Sequence, residues 1–128
     1  MSEQGFEQPG SVGPVPGSRE AFPVTTAFDF PTWETQRSLG TCFGLVCRSM
    51  GALKGLAAGF RTIVGGEVTQ YTELLEDSRR HAVDRMIENA RLMGANAIVG
   101  MRFDSSEIGE TLTEIVAYGT AVIVGARK

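Results

Sequence analysis

The feature that most constrains the fold of this chain is a long amphipathic pattern over residues 69–93. Apolar side chains recur there at intervals of four and seven residues, so that on an α-helix they form one stripe: Tyr71, Leu75, Ala82, Met86 and Met93. Charged side chains fall on the opposite side: Glu73, Arg80, Asp84 and Arg91. Gly94 follows the last apolar position and is typical of a helix end. We therefore predict a helix from about residue 69 to 93 that covers a core with one side.

Extended segments lie on both sides of this helix in the sequence. Residues 22–30 (FPVTTAFDF) and 33–49 (WETQRSLGTCFGLVCRS) are rich in β-forming residues, and we predict that the second strand is bent or bulged at Gly40 or Gly44. Alternating residues after Gly94 predict a strand that ends in a turn at 104–109 (DSSEIG). Residues 111–124 (TLTEIVAYGTAVIV) predict a last strand that becomes apolar on both faces.

A second, shorter helix is predicted within residues 50–66 (MGALKGLAAGFRTIVGG). Gly51, Gly55 and Gly59 lie four apart, which gives this helix a narrow face suited to close packing against another helix or a neighbouring subunit. A loosely formed helix weakened by its glycines is the alternative. The predicted element order is β-β-α-α-β-β, and the fold class is α+β, with an antiparallel or mixed sheet packed against a short and a long helix.

The bulk properties bound the organisation and the partners of the chain. We predict a disordered Gly/Pro-rich tail over residues 1–21 and a single domain over residues 22–128. A formal net charge of −3 argues against nucleic acid as the main partner. The absence of a long apolar run argues against a membrane span, and the absence of a secretory signal together with only two cysteines favours a cytoplasmic protein with reduced thiols.

One flank of the long helix carries the first candidate metal site. Asp77, His81 and Asp84 follow the i, i+4, i+7 spacing and share this flank, so they could bind a divalent ion together. Arg80 and Arg85 adjoin the chain's single histidine and would repel a cation or pair with the same carboxylates. We favour a solvated, salt-bridged surface over the metal site.

Cys42 and Cys47 form the second candidate for a soft metal ion. Their odd spacing places them on opposite faces of a regular strand, and they would converge only if Gly44 hosted a bulge. The spacing matches neither a zinc ribbon nor a thioredoxin motif, so we favour small buried apolar residues.

Catalysis and small-molecule binding find less support in the sequence. A nucleophile needs an adjacent base, and His81 is the one histidine available, so we do not expect an enzyme. Trp33 and Tyr118 could line a ligand pocket at a subunit interface, although we favour ordinary sheet packing for both residues.

Several short motifs, spread from about Val24 to Val124, resemble the YbjQ-like family, which is labelled heavy-metal-binding. They are Gly65-Gly66-Glu67, Tyr71 with Glu73, 93–97 (MGANA), 102–104 (RFD) and 117–121 (AYGTA). The resemblance implies a bacterial, cytoplasmic α+β subunit of dodecin-like architecture without enzymatic activity, which assembles as a ring, expected to be a homopentamer. A scaffold or binding platform is the function we expect. A module for a divalent or soft metal ion (zinc, copper or nickel) is the alternative, and small-molecule binding at a subunit interface is a third hypothesis.

Overall fold

The structure, a computed structural model, describes residues 22–49, 69–109 and 112–127. These residues form β1 (Trp33–Ser49), α1 (Thr69–Leu92), β2 (Ala97–Ile108) and β3 (Leu112–Ala126). The strands make one antiparallel sheet in the order β1-β3-β2. The α+β class and the long helix are thus confirmed.

Other parts of the predicted element order are not confirmed. The described residues give the order β-α-β-β, which contains one helix and does not reproduce the dodecin-like order. The predicted short helix and the predicted tail lie outside the described residues. Along the part of the chain that is described, no helix is both long and apolar enough to cross a bilayer.

The described residues fall into two compact units, and each strand and the helix contribute residues to both. The first unit contains residues 22–42, 90–101 and 119–127. The second unit contains residues 43–49, 69–89, 102–109 and 112–118.

The first unit is organised around a small apolar core. Its members are Phe30, Ala97, Val99, Val122 and Val124, with Trp33 packed against them. The side-chain amide of Asn96 donates to the Val124 carbonyl at 3.0 Å and accepts from the Val124 N–H at 2.8 Å. The Arg127 guanidinium donates to the carbonyls of Phe30, Pro31 and Trp33 over 2.7–3.0 Å. These side chains satisfy backbone groups that would otherwise lack partners at the ends of the strands.

The predicted N-terminal strand is mostly wrong. Within residues 22–30 only Val24 forms a β-bridge, in parallel with Ile98, although neighbouring backbone groups also bond to β2, as in the 3.0 Å bond from the Thr25 N–H to the Ile98 carbonyl. The Thr25 hydroxyl accepts the Ala27 N–H at 3.0 Å. Such local side-chain bonds compete with a regular ladder, and the backbone bonds to β2 extend from Pro23 to Ala27, whose carbonyl accepts the Gly100 N–H at 2.7 Å.

The C-terminal end of α1 follows the prediction closely. Gly94 has φ of +93°, a conformation that glycine adopts without strain. The Gly94 N–H donates to the Arg91 carbonyl at 2.9 Å, and the Ala95 N–H donates to the Ala90 carbonyl at 3.0 Å. This is a Schellman motif, which ends the helix and directs the chain into β2.

In the second unit, α1 packs closely against β1 at Gly44. A Cβ at this glycine would overlap the Ala82 carbonyl oxygen and the Met86 amide nitrogen, so only a hydrogen fits between strand and helix. The Asn89 side chain donates to the Phe43 carbonyl at 2.7 Å and fixes the same contact. Gly44 is therefore a site of close approach, whereas the positive φ of +110° in β1 lies at Gly40.

The predicted apolar stripe of α1 is only partly buried. Ala82 and Met86 are fully buried, but Leu75 and Met93 are each 38% exposed, so the prediction was wrong for these two. Met93 lies beyond the last residue of the helix. Arg48, one residue before the end of β1, bonds to Ser78, and Leu75 lies about one helical turn before Ser78 in α1. Leu75 therefore lies beyond the end of the strand.

The predicted turn at residues 104–109 is also wrong in position. β2 continues through Ile108, and the chain turns at Gly109, where φ is +64°. The Ser106 hydroxyl donates to Glu114 Oε1 on β3 at 3.0 Å, which joins the two strands beyond the point where the polar sequence indicated a turn.

Candidate functional site

Among the described residues of the second unit, α1 covers one face of the sheet, and no helix or strand covers the other, which we call the open face. Strand alternation buries Gly44 and Val46 towards the helix and leaves Phe43 and Leu45 on the other side. The same alternation in β2 and β3 adds further exposed side chains, so the exposed large apolar residues of this face are Phe43, Leu45, Ile108, Leu112 and Tyr118. These five side chains are between 38% and 51% exposed.

The open face has the character of a protein-contact surface. Five large, exposed apolar side chains on one face of a sheet differ from the single apolar residues that any surface carries. β1 lies at the edge of the sheet, and no other strand of the described residues pairs with its outer edge. An edge strand of 17 residues offers backbone donors and acceptors beside the apolar patch.

A cavity of about 410 Å³ lies beside β1 in the same unit, and we call it the basic cavity. Its lining consists of Leu45, Val46, Cys47, Arg48, His81 and Arg85. Arg48 Nε donates to the Ser78 hydroxyl at 2.9 Å, and that hydroxyl donates to the Leu74 carbonyl at 2.9 Å. Arg48 Nη2 also lies 3.6 Å from Asp77 Oδ2.

A smaller cavity, of about 270 Å³, lies between α1 and β2 within the second unit. Its lining consists of Arg79, Arg80, Val83, Asp84 and Phe103. The Arg79 guanidinium lies 4.9 Å from the centre of the Phe103 ring, a cation–π contact. Asp84 therefore lines a different cavity from His81.

The structure brings together only some of the predicted metal ligands. Asp77 Oδ2 lies 3.9 Å from His81 Nε2, and His81 and Cys47 line the same cavity. Within residues 22–49, 69–109 and 112–127, no three His, Cys, Asp or Glu side chains are grouped closely enough to hold a metal ion. A closed structural site usually needs four ligands.

The two cysteines have different environments, as their odd spacing predicted. Cys42 is buried in the first unit, and its thiol donates to the Gly119 carbonyl at 3.7 Å. Burial raises the pKa of the Cys42 thiol above its ordinary value of 9.0. Cys47 is exposed in the second unit, and both thiols are free. The interpretation as a buried apolar residue thus holds for Cys42 and is wrong for Cys47.

Trp33 and Tyr118, two of the remaining predicted site residues, are not among the residues that line the basic cavity. Trp33 packs edge-on against Phe30 in the first unit, with ring centres 5.5 Å apart. Its indole Nε1 is buried and has no hydrogen-bond partner among the described residues. Tyr118 belongs to the open face of the second unit. Gly51, Gly55 and Gly59 lie outside the described residues.

Sequence reasoning missed Arg48 and Ser78, which connect β1 to α1. Thirty residues separate them, and their contact depends on the register between strand and helix, which no local pattern reveals. The alternation of β1 nevertheless contained a usable signal. It places Arg48 on the same side as Gly44 and Val46, where a charged residue facing a helix needs a partner.

Comparisons with known proteins identify the family. A family model described as "Putative heavy-metal-binding" matches residues 22–125. A UPF0145 protein of Bradyrhizobium sp. (strain ORS 278) is 55% identical over 101 residues, which cover 79% of this chain and 91% of that protein. A UPF0145 protein of Burkholderia lata is 52% identical over 101 residues, covering 79% and 85%. A UPF0145 protein of the archaeon Methanoregula boonei is 47% identical over 107 residues, covering 84% and 88%.

A solved structure shares the fold at much lower sequence similarity. It is the crystal structure of a protein of unknown function from Pediococcus pentosaceus, assigned to the DUF74 family. The TM-score is 0.51 at 11% identity, with 80% of this chain and 96% of that chain covered, which shows likeness of fold alone. Because the relatives include an archaeal protein, the expected bacterial origin is not confirmed. The family model and the UPF0145 relatives show that this chain belongs to the YbjQ-like family.

Proposed function

We propose that this protein is a non-enzymatic, cytoplasmic homo-oligomer that serves as a scaffold or binding platform, and that copies of the chain meet through the open face. The exposed apolar side chains of that face carry the proposal, above all Phe43, Leu45 and Tyr118. Water contact with these groups is unfavourable, and burying a large apolar side chain contributes about 1.5–3 kcal/mol.

A second copy of the chain is the simplest partner to propose for the open face. Every copy carries the same apolar face and the same long edge strand, so each copy can both offer and receive the contact. In an assembly with closed symmetry, the apolar face of every copy is covered. The resemblance to the YbjQ-like family gives five as the expected number of copies. Ring assembly would supply a platform on which partners bind.

A pair of leucine substitutions tests this proposal. Leu45 lies on the open face at 41% exposure, whereas Leu92, at 81% exposure, lies at the end of α1 in the first unit. Leu45→Glu places a charge in the proposed interface and should shift the mass measured by size exclusion with light scattering towards the monomer. Leu92→Glu changes the same residue type at a more exposed position and should leave the mass unchanged. Equal behaviour of the two variants would exclude the open face as the interface.

Metal binding is the second candidate function, and the description of the family model favours it. Cys47 and His81 line one cavity and are the donors that one subunit would offer, with further ligands supplied by a neighbouring copy. Calorimetric titration of the protein with zinc, copper and nickel tests this role. Binding should be lost in His81→Ala and in Cys47→Ser, and heats that match the wild type in both variants would rule out this site.

A further inference from the structure

We propose that the basic cavity binds a tetrahedral oxyanion of the phosphate class, either inorganic phosphate or a phosphate monoester, and that a bare metal cation is not its ligand. This goes beyond the proposed self-assembly and does not depend on it, and it is an alternative to metal binding by Cys47 and His81 in the same cavity. The proposal stands on the charge, the geometry and the size of the cavity.

The charge of the lining is positive. Two guanidinium groups, of Arg48 and Arg85, and the His81 imidazole face the cavity, and its lining contains no carboxylate. The Asp77 carboxylate, which is not part of the lining, lies 3.6 Å from Arg48 and 3.9 Å from His81. It offsets one positive charge, and within the described residues no carboxylate pairs with Arg85. A divalent cation would enter against this potential, whereas an anion is attracted by it.

The geometry of Arg48 fits an anion receptor. Its guanidinium is anchored by the Ser78 hydroxyl, and Ser78 is itself only 1% exposed and bonded to α1. A guanidinium held in place loses little conformational entropy when a ligand binds. The remaining N–H groups of its planar fork match the spacing of phosphate oxygens.

The size and walls of the cavity favour a ligand that carries more than a bare anion. A volume of about 410 Å³ exceeds what one phosphate fills, and Leu45 and Val46 supply an apolar side. A phosphate monoester with a small apolar group would use both the cationic and the apolar walls. Inorganic phosphate and phenyl phosphate are therefore the two probes, because their comparison distinguishes a site for free phosphate from a site for a phosphate monoester.

Cys47 supplies a reporter inside the cavity. Its thiol is exposed on the lining, whereas Cys42 is only 2% exposed. The rate at which iodoacetamide alkylates Cys47 in the full chain is measured by intact-protein mass spectrometry, at constant ionic strength, with increasing phosphate, phenyl phosphate or zinc. Phosphate should slow alkylation with saturation, and protection by phenyl phosphate at lower concentration identifies a monoester as the better ligand.

Arginine variants show whether protection comes from the cavity. Arg85→Gln should raise the half-protecting phosphate concentration by about three- to tenfold, the loss expected for one partly screened, charge-assisted hydrogen bond. Arg37→Gln removes the same charge from an exposed position on β1 in the first unit and should leave that concentration unchanged.

Three results would overturn the proposal: no protection by either phosphate probe at tens of millimolar, equal shifts in the two arginine variants, or protection by zinc alone. The subunit number is measured on the same samples. An intact oligomer without phosphate protection therefore removes the anion site and leaves self-assembly standing.

Discussion

Replacing Gly44 by alanine tests the packing of α1 on β1 most sharply. The added Cβ would overlap the Ala82 carbonyl oxygen and the Met86 amide nitrogen, and would lie 2.8 Å from the Arg85 carbonyl carbon. All three are backbone atoms of a helix, so no side-chain rotation relieves the overlap, and helix and strand must move apart. Burial of Ala82 and Met86 would be lost together with this movement.

The expected loss of stability follows from two opposing effects. Overpacking typically lowers the free energy of unfolding by about 1–3 kcal/mol. Because the added Cβ meets helix backbone, which cannot rotate away, we expect the upper end of this range, about 3 kcal/mol. Replacing glycine by alanine also restricts the unfolded chain, which offsets about 0.4–1 kcal/mol. The net loss in the free energy of unfolding is therefore about 2 kcal/mol. For a domain of this size that corresponds to a fall of roughly 10 °C in the melting temperature.

Gly125→Ala is the matched control. Gly125 is a buried strand glycine too, but the atoms that an added Cβ would meet belong to the side chain of Gln36, an exposed residue that can rotate away. Its free energy of unfolding should stay within about 1 kcal/mol of the wild type. Urea denaturation followed by circular dichroism measures both variants at one protein concentration, because assembly adds to apparent stability. Equal stabilities of the two variants would refute the close contact between α1 and β1.

Four further predictions concern the thiols and two anchoring side chains. Iodoacetamide at neutral pH should alkylate Cys47 within minutes and leave Cys42 unmodified until the chain unfolds, as peptide mass mapping will show. Since the pKa of Cys42 is raised above 9.0 by burial, its contribution to stability should be complete below about pH 9 and decline at higher pH, a decline that Cys42→Ala should lack in urea melts. Ser78→Ala removes the acceptor of Arg48 and should lower the free energy of unfolding by about 1–2 kcal/mol, with no loss if the hydroxyl does not anchor that guanidinium. Arg127→Gln removes donors to three backbone carbonyls and should cost about 1–3 kcal/mol by the same assay, whereas an unchanged midpoint would show that these bonds do not stabilise the first unit.

Local patterns in the sequence predicted the parts of the fold that local forces determine. The stripe containing Ala82 and Met86 identified α1, and Gly94 marked its end, because periodicity and the left-handed conformation of glycine act within a few residues. The alternation of β1 correctly separated Cys42 from Cys47 for the same reason. The family resemblance was confirmed as well.

The errors lie where the outcome depends on partners distant in sequence. Residues 104–108 carry polar, turn-forming side chains, yet pairing with β3 keeps them extended. Gly44 looked like a bulge site, but its role is set by a helix some 40 residues away along the chain. Arg48 was not predicted as a site residue because its partner Ser78, and the helix residues that line the basic cavity with it, are distant from it in sequence. The candidate sites were therefore predicted less completely than the fold.

Native mass spectrometry of the full wild-type chain, at a few micromolar and in the presence of a chelator, tests self-assembly most directly. If the open face is covered by further copies, the spectrum will contain one species at a multiple of the 13.7 kDa subunit mass, insensitive to the chelator. A single species at 13.7 kDa under these conditions would contradict assembly through Phe43, Leu45 and Tyr118.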